Sequence, residues 1–214
     1  MSKFVSKIVI CGLIIAVSLS ATAQTQTSTF TDSRDGKTYR TVRIDGKIWM
    51  AENLNYETGR SSCYGNDNSN CEKYGRLYDW KTAMGACPGG WRLPSNEDWN
   101  HLVEATGGQK TAGKNLKSKT GWSATKKGDG NGTDDFGWSA LPGGYHPHSV
   151  IVKNTNPGGR TGYWWSANGG DTHDFPYADH RYIEHGNDQV KGAPGMVAGK
   201  NPKSHGYSVR CVQE

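Results

Sequence analysis

Long apolar segments are almost absent from this sequence of 214 residues. The run at residues 8–20 is too short to cross a bilayer. No other segment approaches the roughly 20 consecutive apolar residues that a membrane-spanning helix needs. We therefore expect a chain without a transmembrane segment once its N-terminus has been processed.

Aliphatic side chains are sparse too. Leu, Ile and Val are few, whereas glycine occurs 29 times and all eight tryptophans lie after residue 23. Such a composition cannot build a large aliphatic core, so aromatic packing, tight glycine turns and disulfides must take its place. Long irregular loops are expected as a consequence.

The motifs of common enzyme classes are missing as well. The sequence contains neither G-x-S-x-G, a hydrolase nucleophile motif, nor H-E-x-x-H, a metalloprotease zinc motif. Glu97 and Asp98 form no obvious pair for glycoside hydrolysis, since both are better used at the start of a helix. We therefore predict that the chain is not an enzyme.

No strong charge of either sign is present. Removing Lys3 and Lys7 with an N-terminal signal changes the formal net charge from +5 to (25 − 2) − 20 = +3. The remaining basic residues are scattered and form no long run. Because nucleic-acid binding depends on clustered positive charge, nucleic acid is not expected as a partner.

An export signal is predicted at the N-terminus. Lys3 and Lys7 form its basic region, residues 8–20 its apolar run, and residues 21–23 the A-T-A cleavage pattern. Cleavage after residue 23 would divide the chain into a signal peptide, a flexible lead-in at 24–33 and one domain at 34–214. The chain is thus expected outside the cell or at its surface, with the periplasm as another destination.

A lipoprotein anchor at Cys11 is the alternative N-terminal interpretation. Cys11 follows Val9 and Ile10 where a lipoprotein has small residues, and it lies inside the apolar run instead of after it. Both features favour the cleaved signal.

Four cysteines remain after removal of the signal. An even count in an exported chain favours two disulfides, although four cysteines allow three pairings. Cys63 and Cys71 enclose a polar, turn-forming loop that a local bridge would fix, which leaves Cys87 and Cys211 as the second pair. A zinc site is the alternative, but the spacings contain no C-x-x-C.

Two elements have clear local signals. Residues 38–44 and 47–51 alternate in polarity around Asp45-Gly46, which predicts a β-hairpin. A helix is predicted to begin after the N-cap Ser95, with Asp98 three residues later, and to end at Gly107-Gly108.

The other elements have weaker signals. A further helix is predicted near residues 76–84, and short strands at 137–140, 163–167, 181–184 and 207–212. The pattern predicts an α+β fold with short helices, a small antiparallel sheet and long loops.

The segment Trp91-Arg-Leu-Pro-Ser-Asn-Glu-Asp-Trp99 resembles the R-L-P-[ST]-x-x-[DE]-W signature of the formylglycine-generating-enzyme-like branch of the C-type lectin fold. More narrowly, the chain from Asp35 onward resembles the Fibrobacter succinogenes major paralogous domain. The supporting blocks, in chain order, are residues 35–39, 49–54, 75–80, 91–99, 134–144, 163–166 and 208–212.

This resemblance implies a C-type-lectin-like, or sulfatase-modifying-factor-like, fold in an exported bacterial protein of unassigned function. Formylglycine-generating enzymes hold copper with a cysteine pair in their C-terminal part. This chain has no cysteine between Cys87 and Cys211, and Cys211 occupies the place of a structural cysteine in the relatives. The copper-dependent oxidation is therefore not expected here.

A structural Ca²⁺ is considered at one loop, and no other cofactor is expected. Oxygen ligands recur at Asp129, Asn131, Asp134 and Asp135. An EF-hand is excluded because its sixth position needs glycine and its twelfth glutamate, where this chain has Asp134 and Ala140. The alternative is a glycine turn in which aspartates cap backbone amides.

The late segment, residues 173–205, is rich in polar residues and glycine. Together with the tryptophans before it, it has the groups that recognise sugars or proteins. A solvated loop with one of those tryptophans in the core is the alternative. The candidate ligand-binding residues are Trp164, Trp165, Tyr177, Tyr182 and His185.

The sequence therefore predicts a non-catalytic binding domain that recognises a polysaccharide or a surface protein. A hydrolase or other enzyme on the same scaffold, and a structural component of a surface assembly, are the alternatives.

Overall fold

The computed structural model describes residues 26–126, 128–147, 159–171, 176–193 and 202–214. The predicted signal peptide at 1–23 and part of the late segment lie outside the described residues. The described part has short helices and two small sheets, one antiparallel and one mixed, which confirms the predicted α+β class.

The described helices are short. They are α1 (Asn68–Tyr74), α2 (Trp80–Ala83), α3 (Asn96–Ala105) and α4 (Ala112–Leu116), with single 3₁₀ turns at Tyr64–Asn66 and Pro202–Ser204.

The first sheet is antiparallel and has the strand order β1-β2-β3-β11-β6. Its strands are β1 (Thr27–Thr31), β2 (Thr38–Ile44), β3 (Lys47–Met50), β6 (Trp91–Arg92) and β11 (Val212–Gln213).

The hairpin β2–β3 confirms the Asp45-Gly46 prediction. Asp45 and Gly46 have positive φ angles of 47° and 75°. A two-residue hairpin turn needs such angles if its twist is to match that of the flanking strands. Glycine adopts this conformation without steric cost, and aspartate tolerates it better than most residues.

The prediction of a flexible lead-in at 24–33 is wrong for its described part. Thr27–Thr31 forms β1 and pairs with β2 along its whole length. Phe30 anchors the strand, because its ring lies 5.0 Å from the ring of Trp91. The Thr- and Ser-rich composition suggested flexibility, but threonine also favours edge strands.

The second sheet is mixed and has the order β4-β5-β10-β7-β8-β9, with β10 and β7 parallel. Its strands are β4 (Ser61–Ser62), β5 (Leu77–Tyr78), β7 (Thr161–Asp171), β8 (Pro176–Glu184), β9 (Lys191–Ala193) and β10 (Tyr207–Ser208).

The helix predicted near 76–84 is mostly wrong. β5 occupies its first part, and α2 begins only after Asp79, whose side chain accepts a hydrogen bond from the Thr82 backbone N–H. The strand predicted at 137–140 is wrong as well, because Gly137 and Ser139 have positive φ of 65° and 52°. The predicted strand at 207–212 is divided into β10 and β11.

Helix α3 confirms its sequence prediction. The Ser95 side chain accepts from the Asp98 backbone N–H, and the Asp98 carboxylate accepts from the Ser95 N–H at 2.8 Å. Burial alone would raise the pKa of Asp98, but hydrogen bonds from Arg92 and Lys47 outweigh it, so the pKa lies below its usual range. The carboxylate therefore stays ionised and fixes the start of α3.

The predicted core residues of α3 are buried as expected. Trp99, Leu102 and Val103 belong to a cluster that also contains Trp49, Trp138 and Trp164. A second cluster surrounds Trp165, Tyr78 and Tyr207. Together they show how aromatic rings replace the missing aliphatic core.

Residues 207–213 connect the two sheets, because β10 lies in one and β11 in the other. Arg210, between them, is fully buried and stacks on the Trp138 ring at 3.8 Å. Its guanidinium donates to Asn53 Oδ1 at 3.0 and 3.1 Å and to the Trp138 carbonyl. Burial lowers the pKa of Arg210 to about 9. The side chain therefore links three distant segments across the core.

Both predicted disulfides are present, Cys63–Cys71 and Cys87–Cys211. The first closes a loop that contains most of α1, and the second joins the segment before β6 to the C-terminal strand. Two structural disulfides fit an oxidising, extracellular environment. In the part of the chain described above, no helix has the length and apolar character needed to cross a membrane.

Candidate binding site between helix α3 and strand β8

One face of α3 is polar and accessible, beside its buried stripe. Asn96, Asn100 and Glu104 recur every fourth residue, so they lie on the same side of the helix. Asn100 and Glu104 are exposed, whereas Trp99 and Leu102 are buried. The helix thus presents a row of amide and carboxylate groups while its other side is fixed in the core.

Strand β8 supplies the opposite wall. Asp179 and Arg181 face α3, because Asn96 Nδ2 donates to Asp179 Oδ2 at 2.5 Å and Arg181 Nη2 donates to Asn100 Oδ1 at 3.3 Å. His180, between them in sequence, points to the other face of the sheet and packs on Tyr207 at 5.0 Å. This alternation is the normal period of a strand.

A bulge in β7 completes the junction. The register of β7 against β8 shifts between Trp165 and Gly169. Within this irregular stretch, Asn168 Oδ1 accepts from the Asn96 backbone N–H at 2.7 Å, at the first turn of α3. Bulges commonly redirect a side chain toward a functional site. Here the bulge fixes the helix start against the sheet.

Helix α3 and strand β8 form the two walls of an open cleft of about 420 Å³. Amide, carboxylate and guanidinium groups dominate its lining, and two valines supply apolar surface. The described lining residues are Asn96, Asn100, Val103, Glu104, Gln109, Asp179, Arg181 and Val190.

The cleft holds ionisable groups of both signs. Burial lowers the pKa of Arg181, and the charge of Asp179 opposes that effect. The Arg181 guanidinium also donates to the His180 carbonyl at 3.2 Å. Asn96 Oδ1 is buried and has no hydrogen-bond partner among the described residues. The Asn96 amide nitrogen is used within the protein, where it donates to Asp179 Oδ2.

Trp164 and Trp165 were predicted to contact a ligand, and their burial corrects that prediction. Their exposed fractions are 1% and 0%. The Trp164 indole N–H donates to Asn53 Oδ1 at 2.8 Å, and the Trp165 indole N–H to the Tyr78 carbonyl at 2.7 Å. Both rings are core residues, in the two different clusters, and neither offers a face to solvent.

The other three predicted ligand-binding residues are partly buried and do not form one site. Tyr177 lies near the start of β8. Tyr182 stacks on Tyr163, with ring centroids 5.7 Å apart, on the sheet face opposite the cleft. His185 Nδ1 lies 3.0 Å from the Ser123 carbonyl.

The candidate calcium residues are engaged in turns. Asp134 accepts from the Ser139 N–H and hydroxyl at 2.7 and 2.6 Å, and Asp129 Oδ1 accepts from the Asn131 N–H at 3.0 Å. The Asn131 amide oxygen accepts from the Trp122 N–H.

The remaining candidate, Asp135, donates its backbone N–H to the Asn115 carbonyl. Within the described ranges, no group of three or more His, Cys, Asp or Glu is arranged to hold a metal ion. Calcium binding stays a prediction.

Asp129, Asn131 and His185 come together at a second, smaller pocket of about 190 Å³. Lys117 also lines it and is almost fully buried, with its ammonium 3.1 Å from the Asn187 carbonyl. Burial lowers the pKa of Lys117, and the charge of Asp188 opposes that effect. A positive charge at this position disfavours a bound cation.

The α3–β8 cleft was not predicted from the sequence, although two signals were present. Polar residues at 96, 100 and 104 run along the helix beside its apolar stripe, and Asp179 and Arg181 alternate with buried residues in β8. Either pattern alone also fits a solvated surface. Only the pairing of β7 with β8, and the packing of α3 on β7, brings them together.

We expect stability to fall between pH 6.5 and pH 5 because of His180. Burial lowers its pKa to about 4, below the ordinary value of 6.5. In that window the unfolded chain binds a proton that the folded chain excludes, so acidification favours unfolding. The loss from pH 7 to pH 5 should be about 2 kcal/mol. Urea unfolding of wild type and His180→Phe at both pH values measures it.

His180→Phe should remove most of this dependence of the free energy of unfolding on pH, since no imidazole remains at the buried position. An unaltered dependence in His180→Phe would contradict the prediction.

Comparison with known proteins gives one match. A family model described as the Fibrobacter succinogenes major domain matches residues 42–213, which include the cleft and both disulfides. No curated protein and no solved structure matches the chain.

Proposed function

The chain belongs to the Fibrobacter succinogenes major domain family, and we propose that it is a non-catalytic binding domain that recognises a polysaccharide through the α3–β8 cleft. The observation that carries the proposal is the lining of that cleft, in which six of the eight described residues are polar. We place its action at the cell surface or outside the cell, where polysaccharides are accessible and disulfides persist.

The side chains of the cleft match the chemistry of a sugar. Amides provide donors and acceptors, carboxylates provide acceptors and guanidinium groups provide donors, so adjacent hydroxyls can be bound in pairs. Val103 and Val190 also line the cleft but are mostly buried, so its accessible chemistry is polar. A cleft of about 420 Å³ holds a short stretch of sugar units, not a whole chain.

The open wall of the cleft favours a polymer. Asn100, Glu104 and Gln109 are exposed along one side. A polysaccharide can therefore enter and leave the cleft while its central units are bound. An enclosed pocket would instead select a free monosaccharide.

The walls are rigid, which lowers the entropic cost of binding. The capping box and the buried Trp99 hold α3, and the hydrogen bond from the Asn96 N–H to Asn168 holds its first turn against β7. The contact between Asn96 and Asp179 joins the helix to β8. The polar groups are thus arranged before a ligand arrives.

The surroundings of the two carboxylates favour binding over hydrolysis. A glycoside hydrolase needs one carboxylic acid that apolar surroundings keep protonated, and a second carboxylate across the scissile bond. Glu104 lies on the exposed side of α3, and the Asp179 carboxylate accepts a hydrogen bond from Asn96. Neither has the surroundings of a general acid.

Binding of the exported chain to a panel of soluble polysaccharides, measured by calorimetry, tests the proposal. The variant Asn100→Ala/Gln109→Ala removes two exposed lining groups, and the dissociation constant should rise at least tenfold. The matched control is Glu97→Ala/His101→Ala, which alters exposed residues of the same helix outside the cleft. Its affinity should equal that of the wild type, and its melting temperature should fall only slightly, because Glu97 lies in the first turn of α3.

Three outcomes would contradict the proposal. An equal loss of affinity in both double variants would mean that the site lies elsewhere. Release of reducing sugars from a bound polysaccharide would make the chain an enzyme. Binding to surface proteins, with no binding to any polysaccharide of the panel, would assign the cleft to a protein partner.

A further inference from the structure

We infer that the α3–β8 cleft selects neutral or amine-bearing sugar units and discriminates against uronic and sulfated ones. This inference rests on the proposed function and specifies its substrate class. It depends on the net charge of the residues that line the cleft. It also depends on which of these residues already have hydrogen-bond partners within the protein.

Negative charge exceeds positive charge in the cleft. Among its described lining residues, Glu104 and Asp179 carry two carboxylates and Arg181 one guanidinium, which leaves one net negative charge. An anionic sugar unit placed between these walls would meet like charge at close range. Such contacts act against the wrong ligand more strongly than matched contacts favour the right one.

The guanidinium of Arg181 is already partly paired within the protein. Its Nη2 donates to Asn100 Oδ1 and its Nη1 to the His180 carbonyl. Asp179 lies two positions from Arg181 on the same face of β8, and its negative charge offsets that of the guanidinium.

The acceptors of the cleft need donors. The carboxylate oxygens of Glu104 and Asp179 accept hydrogen bonds and cannot donate them. Hydroxyl and ammonium groups of a sugar donate to such oxygens. A carboxylate or sulfate ester has no proton to donate at neutral pH, so it would leave these acceptors unpaired and add repulsion.

Uronic-acid polysaccharides and their carboxyl-reduced forms provide a matched test. Reduction converts each carboxylate to a primary alcohol and leaves the linkage and the ring unchanged. The reduced, neutral form should bind at least tenfold more tightly than the acidic parent at low salt. High salt should reduce the difference in affinity between the two polymers, since it screens the exposed charges.

Glu104→Gln tests the role of charge at one position. It keeps the size of the side chain and removes one negative charge, so the ratio of the affinity for the neutral polymer to the affinity for the acidic polymer should fall several-fold. The matched control is Glu97→Gln on the same helix. The side chain of Glu97 is 86% exposed and lies outside the cleft, so this variant should keep the wild-type preference.

The outcomes separate the inference from the proposed function. Equal or tighter binding of the acidic form, lost in Asn100→Ala/Gln109→Ala, would overturn the inference and leave the function standing. The same fall in the affinity ratio in Glu97→Gln as in Glu104→Gln would overturn it too, because net charge alone would then explain the effect. Binding to neither form of any polymer would overturn both.

Discussion

Trp99→Ala should lower the free energy of unfolding by about 3–5 kcal/mol, the usual cost of emptying a buried tryptophan site. Trp99 is 1% exposed, and its ring lies 5.3 Å from that of Trp49 and 5.9 Å from that of Trp138. Its indole N–H also donates to the Trp165 carbonyl, across the contact between α3 and β7. Urea unfolding followed by circular dichroism measures the loss.

Two further variants keep this prediction testable if Trp99→Ala does not fold. Trp99→Phe retains one ring and should cost less than the alanine variant. Tyr177→Ala, at a partly exposed position of β8, should change stability by 1 kcal/mol or less. A Trp99→Ala protein as stable as Tyr177→Ala would contradict the packing described above.

Loss of the Cys87–Cys211 disulfide should destabilise the domain by about 4–5 kcal/mol, because the bridge closes a loop with a sequence separation of 124 residues. The reason is mainly the entropy that the bridge removes from the unfolded chain. Cys211 is also fully buried, so packing adds to the effect. Denaturant unfolding of Cys87→Ala/Cys211→Ala measures the loss.

The shorter bridge provides the matched control. Cys63–Cys71 spans a separation of 8, and on the same chain-entropy argument its removal should cost about 2–3 kcal/mol. The two double variants therefore remove the same kind of bond, but the loops that these bonds close differ greatly in length. Equal losses in both, or free thiols at Cys87 and Cys211 in the exported protein, would contradict the prediction.

Local signals predicted the parts of the fold whose causes are local. Asp45-Gly46 determines a turn through backbone conformation alone, and Ser95 with Asp98 determines a helix start through hydrogen bonds three residues apart. The disulfides followed from the even number of cysteines and the predicted export of the chain. None of these depends on distant packing.

The errors arose where distant packing decides. Residues 27–31 look flexible until β2 pairs with them and Trp91 covers Phe30. Trp164 and Trp165 look like a recognition surface until Trp138 packs on Trp164 and Tyr207 packs on Trp165.

The candidate cleft could not be predicted for the same reason. Its walls come from residues 96–109 and 179–190, which are about 80 positions apart in sequence. The hydrogen bond between Asn96 and Asp179 is a tertiary contact with no local signature. The family resemblance identified the domain, but the resemblance does not specify a ligand.

The position of residues 207–213 has a consequence for the order of events during synthesis. β10 pairs with both β5 and β7, and β11 pairs with both β3 and β6. Until residues 207–213 leave the ribosome, all four partner strands have an open edge, and open edges promote aggregation. Pairing at such long range also slows folding. Neither sheet can therefore be completed before residues 207–213 are available, and a chain that stops before residue 207 should accumulate as an aggregation-prone intermediate.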